Sequence, residues 1–298
     1  PFGVERLDLI SGDFGSQLHL PVDAIEIFNS SEPPERWKMV LSDWFALRNA
    51  GVRVLGVASS DSHTVGNPVA QGRTYFSCAA ETLAELDEQQ VVDAFRRGAL
   101  SMSQGLFLTV TADGAGPSEQ ISAHQGSVRV QLRVAGASWA SATRADLFLN
   151  GQRVRSEPLA ADGGAFNHTL EFALPVPAHD CWLVVLAQGP VPEGGWWTTV
   201  QSHLAALSNP ILIDGDGDGV WRSPREIAAS LHAALGNQPE AFGTALSAHD
   251  AAIAQQAAVL WLSHTSLPAD AAATESLCAH AGAQQALLRR LLTESATQ

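Results

Sequence analysis

An aspartate and a histidine stand two residues apart where an apolar run of the sequence ends. The stretch LGVASSDSHTVG loses its apolar character at Ser59, and Asp61 and His63 follow. Side chains two residues apart in an extended chain project to the same side, so one cation can meet both. A carboxylate oxygen and an imidazole nitrogen together favour Zn, Mn or Fe over Ca. Taken alone, Asp-Ser-His is more often a surface turn in which the aspartate caps its own backbone.

A second group of acidic side chains lies in the stretch DGDGDG. Asp214, Asp216 and Asp218 occupy alternate positions before a glycine, like the opening of a calcium-binding loop. The twelfth position of such a loop would be Arg225 rather than a glutamate, and Glu226 comes one residue late. The sequence therefore leaves two interpretations open, a weak calcium site and an acidic turn.

Strand and helix patterns alternate in the first hundred residues. The run AIEIF predicts a strand, ERWKMVLSDWFALRNAG a helix that ends at Gly51, and VRVLGVAS a second strand. QQVVDAFRRGAL predicts one more helix. A helix between two buried strands indicates a parallel pair. Because ligands gather at the carboxyl ends of parallel strands, Asp61 and His63 stand where a site is expected.

Two further regions follow along the chain. From about Gly105 the hydrophobic pattern alternates, as in SVRVQLRVAG, and Asn150-Gly151 predicts a hairpin turn. These short strands indicate an antiparallel β-sandwich that ends near NPILID. After Asp214 the sequence is alanine-rich and helical, and the capping box from Ser223 to Glu226 marks the start of a helix.

Composition and charge argue against several classes of protein. The formal net charge is -14 over 298 residues, without a Lys/Arg cluster, so nucleic acid is not an expected partner. No apolar run approaches the roughly 20 residues that span a bilayer, so we expect no membrane span. Three widely separated cysteines give no disulfide framework. The chain opens at Pro1 without a signal-peptide profile, which leaves periplasmic, extracellular and cytoplasmic locations all open.

Several motifs in combination resemble a known family. DAIEIFN, NAGVRVLGVASSDSHTVG and GRTYF are similar to the last third of a PHP domain, the polymerase and histidinol phosphatase superfamily, in its CehA/McbA-like (carbaryl-hydrolase-like) branch. GAGP, ASWA, LFLNG, DCWLVVLAQG and LSNPILIDGDGDG resemble the C-terminal region of that branch. The resemblance covers roughly residues 1–224 and leaves the helical tail outside.

The resemblance implies a multidomain α/β plus β architecture. Residues 1–104 would be the C-terminal part of a PHP-type (β/α)7 barrel, residues 105–213 an antiparallel β-sandwich, and residues 214–298 an acidic loop and a helical tail. No HxH motif, which the family carries upstream of EIFN, occurs in the sequence. We therefore expect an N-terminally truncated chain that binds metal weakly and hydrolyses little, whereas the full-length protein would be active.

The resemblance also implies roles for individual residues. Asp61 and His63 correspond to the family's final metal-binding pair, and Glu26 and Asn29 lie beside the site without being ligands. Arg73 would bind a substrate anion or, as an equally good interpretation, form a salt bridge under a loop. The implied cofactors are divalent Zn, Mn or Fe ions. The implied enzyme is a hydrolase that attacks phosphoesters or carboxyl and carbamoyl esters with metal-activated water and no protein nucleophile.

A function from a different class also fits the sequence. The antiparallel region could be a non-catalytic binding module for a glycan or a protein, with the acidic loop as a calcium-type element. Trp196 and Trp197 follow two glycines and would form a stacking platform in such a module, although a tryptophan pair of this kind more often packs at a sandwich edge. Saturable binding by the antiparallel region alone would distinguish this module from the hydrolase.

Overall fold

The computed structural model describes residues 22–33, 35–160, 165–191, 203–264 and 270–294. Their contacts divide them into two compact units. The first contains the described residues of 22–44 and 54–221, and the second those of 45–53 and 222–294. Trp196 and Trp197 lie outside the described residues.

The first unit begins with a strand, a helix and a parallel strand. These are β1 (Ala24–Asn29), α1 (Arg36–Asn49), which crosses the boundary between the units, and β2 (Leu55–Ser59), and β1 pairs with β2 in parallel. The apolar spacing of α1 predicts which side of the helix is buried. In the structure that side is buried, and it includes Trp37, Val40, Leu41 and Trp44. The Trp44 indole N–H donates to the Val54 carbonyl oxygen at 2.9 Å. The βαβ prediction for this stretch is confirmed.

On the outer edge of β2, main-chain N–H and C=O groups form hydrogen bonds with side chains and not with a third parallel strand. The Gly56 N–H donates to Asn209 Oδ1 at 2.8 Å, and Asn209 Nδ2 donates to the Gly56 carbonyl at 2.9 Å. Two residues on, Thr74 Oγ1 accepts from the Ala58 N–H and donates to the Ala58 carbonyl, both at 2.9 Å. The side chains of Asn209 and Thr74 thus occupy the main-chain groups of β2 that the next strand of a barrel would need for pairing.

The predicted (β/α)7 barrel was therefore wrong. The parallel sheet of the described residues has two strands, the other sheets are open, and most strand pairs in them are antiparallel. The stretch GRTYF, which the resemblance assigns to the barrel, is strand β3 (Gly72–Phe76) and pairs antiparallel with β4 (Leu100–Gln104). The described chain is a mixed α/β protein with several sheets and seven α-helices.

Two sheets enclose the main core of the first unit. The larger has the strand order β3, β4, β12 (His203–Ser208), β11 (Cys181–Pro190), β13 (Ile211–Asp214) and β6 (Gln120–Ser122), with β8 (Arg144–Leu149) and β9 (Gln152–Pro158) added beside β11. The smaller has the order β10 (Asn167–Pro175), β7 (Ser127–Gly136) and β5 (Leu106–Ala112). Their inward side chains pack together, including Leu108, Val130, Leu132, Leu147 and Val185. The helix predicted over QQVVDAFRRGAL is α2 (Glu88–Arg97); it ends earlier than predicted, because Gly98 caps it and Leu100 already begins β4.

Two glycines allow the sharp turns that this arrangement needs. The chain passes from β4 in the larger sheet directly to β5 in the smaller one at Gly105, whose φ is 91°. The predicted hairpin is confirmed, since Asn150 and Gly151 join β8 to β9 with φ values of 48° and 81°. Both central residues of a type I′ turn need positive φ, which favours the Asn-Gly pair.

The second unit is helical. It contains α3 (Pro224–Leu235), α4 (Pro239–Leu246), α5 (Ala251–His264), α6 (Ala271–His280) and α7 (Gln285–Glu294) around a core that includes Phe242, Ile253, Trp261, Leu277 and Leu288. The predicted capping box is confirmed, because Ser223 Oγ accepts from the Glu226 N–H at 3.2 Å and Glu226 Oε2 accepts from the Ser223 N–H at 2.8 Å. In the part of the chain that the structure describes, no helix is long and apolar enough to cross a membrane.

Candidate metal site at the ends of the parallel strands

The backbone after β2 turns sharply to present Asp61. This residue has a φ of 48°, in the left-handed region that aspartate tolerates better than most residues. Ser31, in the segment after β1, holds the turn in place, because its hydroxyl lies 3.0 Å from the Ser60 carbonyl oxygen and 2.9 Å from that of Asp61. Asn67 Nδ2 donates to the Ser31 hydroxyl at 3.1 Å. The site is thus formed where both parallel strands end.

A β-bulge brings Glu26 and Asn29 to the same side of β1. Residues three apart face opposite sides of a regular strand. In β1, however, Glu26 pairs with Val57 while Phe28 pairs with Ala58, so one extra residue, Ile27, is accommodated between them. Asn29 Nδ2 consequently donates to both Glu26 Oε2 at 2.8 Å and Asp61 Oδ2 at 3.1 Å.

The hydrogen bonds of Glu26 and Asp61 hold their carboxylates close to one amide. The other oxygen of Glu26, Oε1, accepts a hydrogen bond from the Ser59 hydroxyl. The Ser59 hydroxyl also accepts from the Asp61 N–H at 3.2 Å. Asn29 Oδ1 accepts from the N–H groups of Ser31 and Glu32, which fixes the orientation of its amide. These contacts collect negative charge at one edge of the sheet and orient both acids.

His63 is oriented by the backbone of Asp61. Its Nδ1 lies 2.6 Å from the Asp61 carbonyl oxygen and 3.4 Å from Asp61 Oδ1. A carbonyl oxygen only accepts, so Nδ1 carries the hydrogen, and in the neutral ring Nε2 keeps a lone pair. A hydrogen bond from one ring nitrogen to a carbonyl oxygen commonly accompanies metal binding through the other. The His63 side chain is 70% exposed and that of Asp61 40%, so a cation has access to both.

These residues fit two ligands of a divalent cation. Asp61 offers a carboxylate oxygen and His63 offers Nε2, a donor set that suits Zn, Mn or Fe. Glu26 and Asn29 lie beside this pair, because Asn29 Nδ2 donates to the carboxylates of both Glu26 and Asp61. Catalytic zinc sites commonly have three protein ligands. Asp61 and His63 together account for two.

Arg73 is not oriented toward this cluster. Gly72 and Thr74 face β2, because a Cβ on Gly72 would lie 2.2 Å from the Ser59 carbonyl oxygen and Thr74 bonds Ala58. Alternation along β3 then places Arg73 on the opposite side, where its guanidinium lies 5.9 Å from the Tyr75 ring centre. Within the described residues Arg73 makes no ion pair, so the salt bridge under a loop is not seen there, and its binding of a substrate anion stays a prediction.

The acidic loop brings together a different set of residues from the predicted one. Asp180, Asp214 and Asp216 have candidate ligand atoms within 4.8 Å of one another. Asp218 lies outside this group, and its Oδ1 accepts from the Val220 N–H at 2.9 Å. Among the described residues, this is the group of three that meets such a distance limit. We refer to Asp180, Asp214 and Asp216 as the aspartate group.

Hydrogen bonds already stabilise the buried charge of Asp214. Its Oδ1 accepts from the Gly217 N–H at 2.7 Å, and its Oδ2 accepts from the Ser122 hydroxyl at 2.7 Å and the Gly219 N–H at 2.8 Å. Burial favours the neutral acid, but these hydrogen bonds together outweigh it, and the pKa of Asp214 lies below its ordinary value of 3.8. Asp180 Oδ1 accepts from the Gly215 N–H at 3.0 Å.

Sequence reasoning missed Asp180, Ser31 and Ser59. Asp180 precedes the fully apolar stretch CWLVVLA, and an acid next to a buried strand is a signal that could have been used, since buried charges need partners. Ser31 and Ser59 carry no comparable signal, because their roles depend on how β1 and β2 are placed side by side.

No protein-family model matches this sequence, and no curated protein matches it. The resemblance to PHP domains therefore rests on the motifs themselves.

Proposed function

We propose that Asp61 and His63 are ligands in a divalent-metal centre that hydrolyses phosphoesters or carboxyl and carbamoyl esters. One observation carries the proposal: Asn29 donates to the carboxylates of Glu26 and Asp61 at the strand end where His63 is held with Nε2 available. A set of acids and an imidazole, fixed by hydrogen bonds and open to solvent, is suited to a cation.

The roles of the residues follow from their contacts. Asp61 and His63 would hold the ion, Asn29 and Ser59 would keep the acids in position, and Glu26 would add negative charge beside it. A bound divalent cation supplies Lewis-acid activation of the ester and of an attacking water. The cluster itself is acidic, so an anionic phosphoester would depend on the cation for attraction. A neutral carboxyl or carbamoyl ester has no such requirement.

Metal binding and hydrolysis of the whole chain test this proposal. After removal of metal with a chelator, Zn²⁺ and Mn²⁺ would be titrated by calorimetry, and an aryl phosphate and an aryl ester would be assayed with each metal. We expect weak binding and slow, metal-dependent hydrolysis, because two ligands hold an ion less tightly than three. Asp61→Asn and His63→Gln should each weaken binding about tenfold or more.

Two matched variants control for nonspecific effects of the substitutions. Asp93→Asn removes a solvent-accessible acid on α2, and His124→Gln removes an exposed imidazole. Neither residue contacts Glu26, Asn29, Asp61 or His63. Both should bind metal as the unaltered chain does. An Asp61→Asn, His63→Gln double variant with unchanged metal affinity would refute the site.

We propose separately that the aspartate group binds Ca²⁺. The supporting observation is that Asp180 and Asp214 are buried while their ligand atoms lie within 4.8 Å of those of Asp216. Carboxylates this close repel one another, and a cation with oxygen ligands relieves that repulsion. This proposal is independent of the hydrolytic one and would make Ca²⁺ a stabilising ion.

A further inference from the structure

Among the described residues, strand β5 has a neighbouring strand along one edge only. It pairs with β7 along this edge from Leu106 to Ala112. The Asp113 N–H donates to the Arg129 carbonyl at 2.9 Å, so alternate residues before Asp113, including Thr109 and Thr111, direct their main-chain groups toward β7. Leu108 and Val110 therefore direct their N–H and C=O groups the other way.

The hydrogen bonds at the end of β5 independently show which of its residues direct their main-chain groups away from β7. Ala112 belongs to the same alternate set as Val110, and its N–H and C=O bond Ala115 at 2.9 Å on the side away from β7. For Leu108 and Val110 the described residues provide no such partner. Their four main-chain groups form a short, regular row along the outer edge of the strand.

A cavity of about 540 Å³ lies along this edge. Five consecutive residues of β5, Phe107 to Thr111, line it, as expected for the edge of a strand and not for one of its faces. The cavity exists because β4 and β5 diverge from Gly105 into different sheets, and Leu100 and Ser101 of β4 line its other side. Its volume lies within the range of about 300–1,000 Å³ typical of ligand sites.

The walls of the cavity favour apolar and basic groups. Tyr75, Phe76 and Phe107 supply aromatic surface, and the rings of Tyr75 and Phe107 meet edge to face at 5.0 Å. The charged side chain in the wall is that of Glu119, and no lysine or arginine is among the described residues that line it. The chain as a whole carries a formal charge of -14. An acidic ligand is therefore disfavoured.

We propose that an extended peptide segment of alternating apolar and basic residues adds to the outer edge of β5 in this cavity. The peptide would pair its main chain with the N–H and C=O groups of Leu108 and Val110, as in strand addition to an exposed sheet edge. Its apolar side chains would contact the aromatic wall, and a basic side chain would lie near Glu119. The proposal does not depend on the metal centre.

A labelled peptide with the sequence SVRVQLRVAG, that of Ser127–Gly136, is the probe, because it alternates apolar residues with arginine and glutamine. Binding to the whole chain would be followed by fluorescence anisotropy up to about 1 mM. Val110→Pro removes an outward N–H while leaving the ladder to β7 intact. It should weaken binding at least about tenfold, whereas Val110→Ala, which keeps the N–H, should bind like the unaltered chain.

Amide hydrogen exchange provides a second measurement that needs no variant. In the free chain the amides of Leu108 and Val110 should exchange faster than those of Thr109 and Thr111, and saturating peptide should slow the first pair alone. Equal exchange of both pairs in the free chain would overturn the proposal. The proposal would also be overturned if binding were not saturable, or if Val110→Pro and Val110→Ala bound the peptide equally well. Concentration-dependent dimerisation that Val110→Pro abolishes would overturn it too, because the edge would then pair with a second copy of the chain.

Discussion

Asn209 hydrogen-bonds both main-chain groups of Gly56, a residue 153 positions earlier in the chain. Its amide accepts from the Gly56 N–H at 2.8 Å and donates to the Gly56 carbonyl at 2.9 Å, so it takes the place of a neighbouring strand. Asn209 Nδ2 also donates to the Leu100 carbonyl at 3.2 Å. One fully buried side chain therefore connects the parallel pair β1–β2 to the larger sheet.

Replacing Asn209 with alanine should destabilise the chain by about 3 kcal/mol. The substitution leaves the Gly56 N–H and the Gly56 carbonyl buried without this partner, and each unsatisfied group costs about 1–3 kcal/mol. Asn167→Ala is the control, since the Asn167 side chain accepts an exposed hydrogen bond from Arg133. Urea unfolding of both variants measures the difference, and equal stabilities would contradict the role of Asn209.

Local patterns predicted most of the secondary structure but not the continuation of the parallel sheet. The helical spacing of Trp37, Val40 and Trp44 and the Asn150-Gly151 turn are encoded within a few residues of the sequence, so they could be read directly. The end of the parallel sheet at β2 is determined by Thr74 of β3 and by Asn209 in the turn between β12 and β13. Hydrophobic periodicity carries no information about such distant hydrogen bonds.

The candidate metal site also depends on contacts between distant residues that the sequence pattern does not reveal. Asp61 and His63 were predicted as ligands from their spacing after a strand and from the resemblance of the surrounding motifs. The structure ends β2 at Ser59 and gives Asp61 a φ of 48°, so the extended geometry assumed for that spacing does not hold. The bulge at Ile27 turns Glu26 and Asn29 to one side of β1. It depends on how β1 pairs with β2, so it could not be predicted from the sequence of β1 alone. Asp180 lies 34 positions before Asp214, so a motif confined to DGDGDG could not include it.

Asn29→Ala should weaken metal binding without removing a ligand. Loss of the amide removes the donor that Glu26 and Asp61 share, so the two acids are no longer held in place. Residues that orient metal ligands typically contribute 10–100-fold to affinity, and we expect about a tenfold loss by calorimetry with Zn²⁺. Asn67→Ala is the matched control, because Asn67 bonds Ser31 in the same region but neither acid. Equal affinities of the two variants would exclude a positioning role for Asn29.

Calcium should raise the melting temperature of the chain if the aspartate group binds it. An ion that binds the folded state alone at a hundred times its Kd stabilises that state by about 2.7 kcal/mol. Asp216→Asn should abolish the shift, since Asp216 belongs to the group, whereas Asp218→Asn should preserve it. Scanning calorimetry with and without Ca²⁺ distinguishes the two. A shift lost in both variants would favour the loop of Asp214, Asp216 and Asp218 expected from DGDGDG, and a shift kept in Asp216→Asn would contradict the aspartate group.

His232 should make the helical unit less stable in weak acid. Burial lowers its pKa from the ordinary value of 6.5, and the nearby His264, whose ring centre is 4.7 Å away, lowers it further. As the pH falls through 6.5, the unfolded chain therefore binds a proton before the folded chain does. The contribution of His232 to the free energy of unfolding is constant above that pH, declines as the pH falls below it, and levels off below the folded-state pKa.

The His232→Gln variant isolates this contribution. Between pH 7.5 and 5 the free energy of unfolding should fall less steeply in His232→Gln than in the unaltered chain, because one proton uptake on unfolding has been removed. His280→Gln is the control, since His280 is an exposed histidine on α6 whose Nδ1 bonds the Ser276 carbonyl. Urea titrations across this pH range, with the folded helical content followed by circular dichroism, give the slopes. Identical slopes for His232→Gln and the unaltered chain would show that burial of His232 does not couple its protonation to folding.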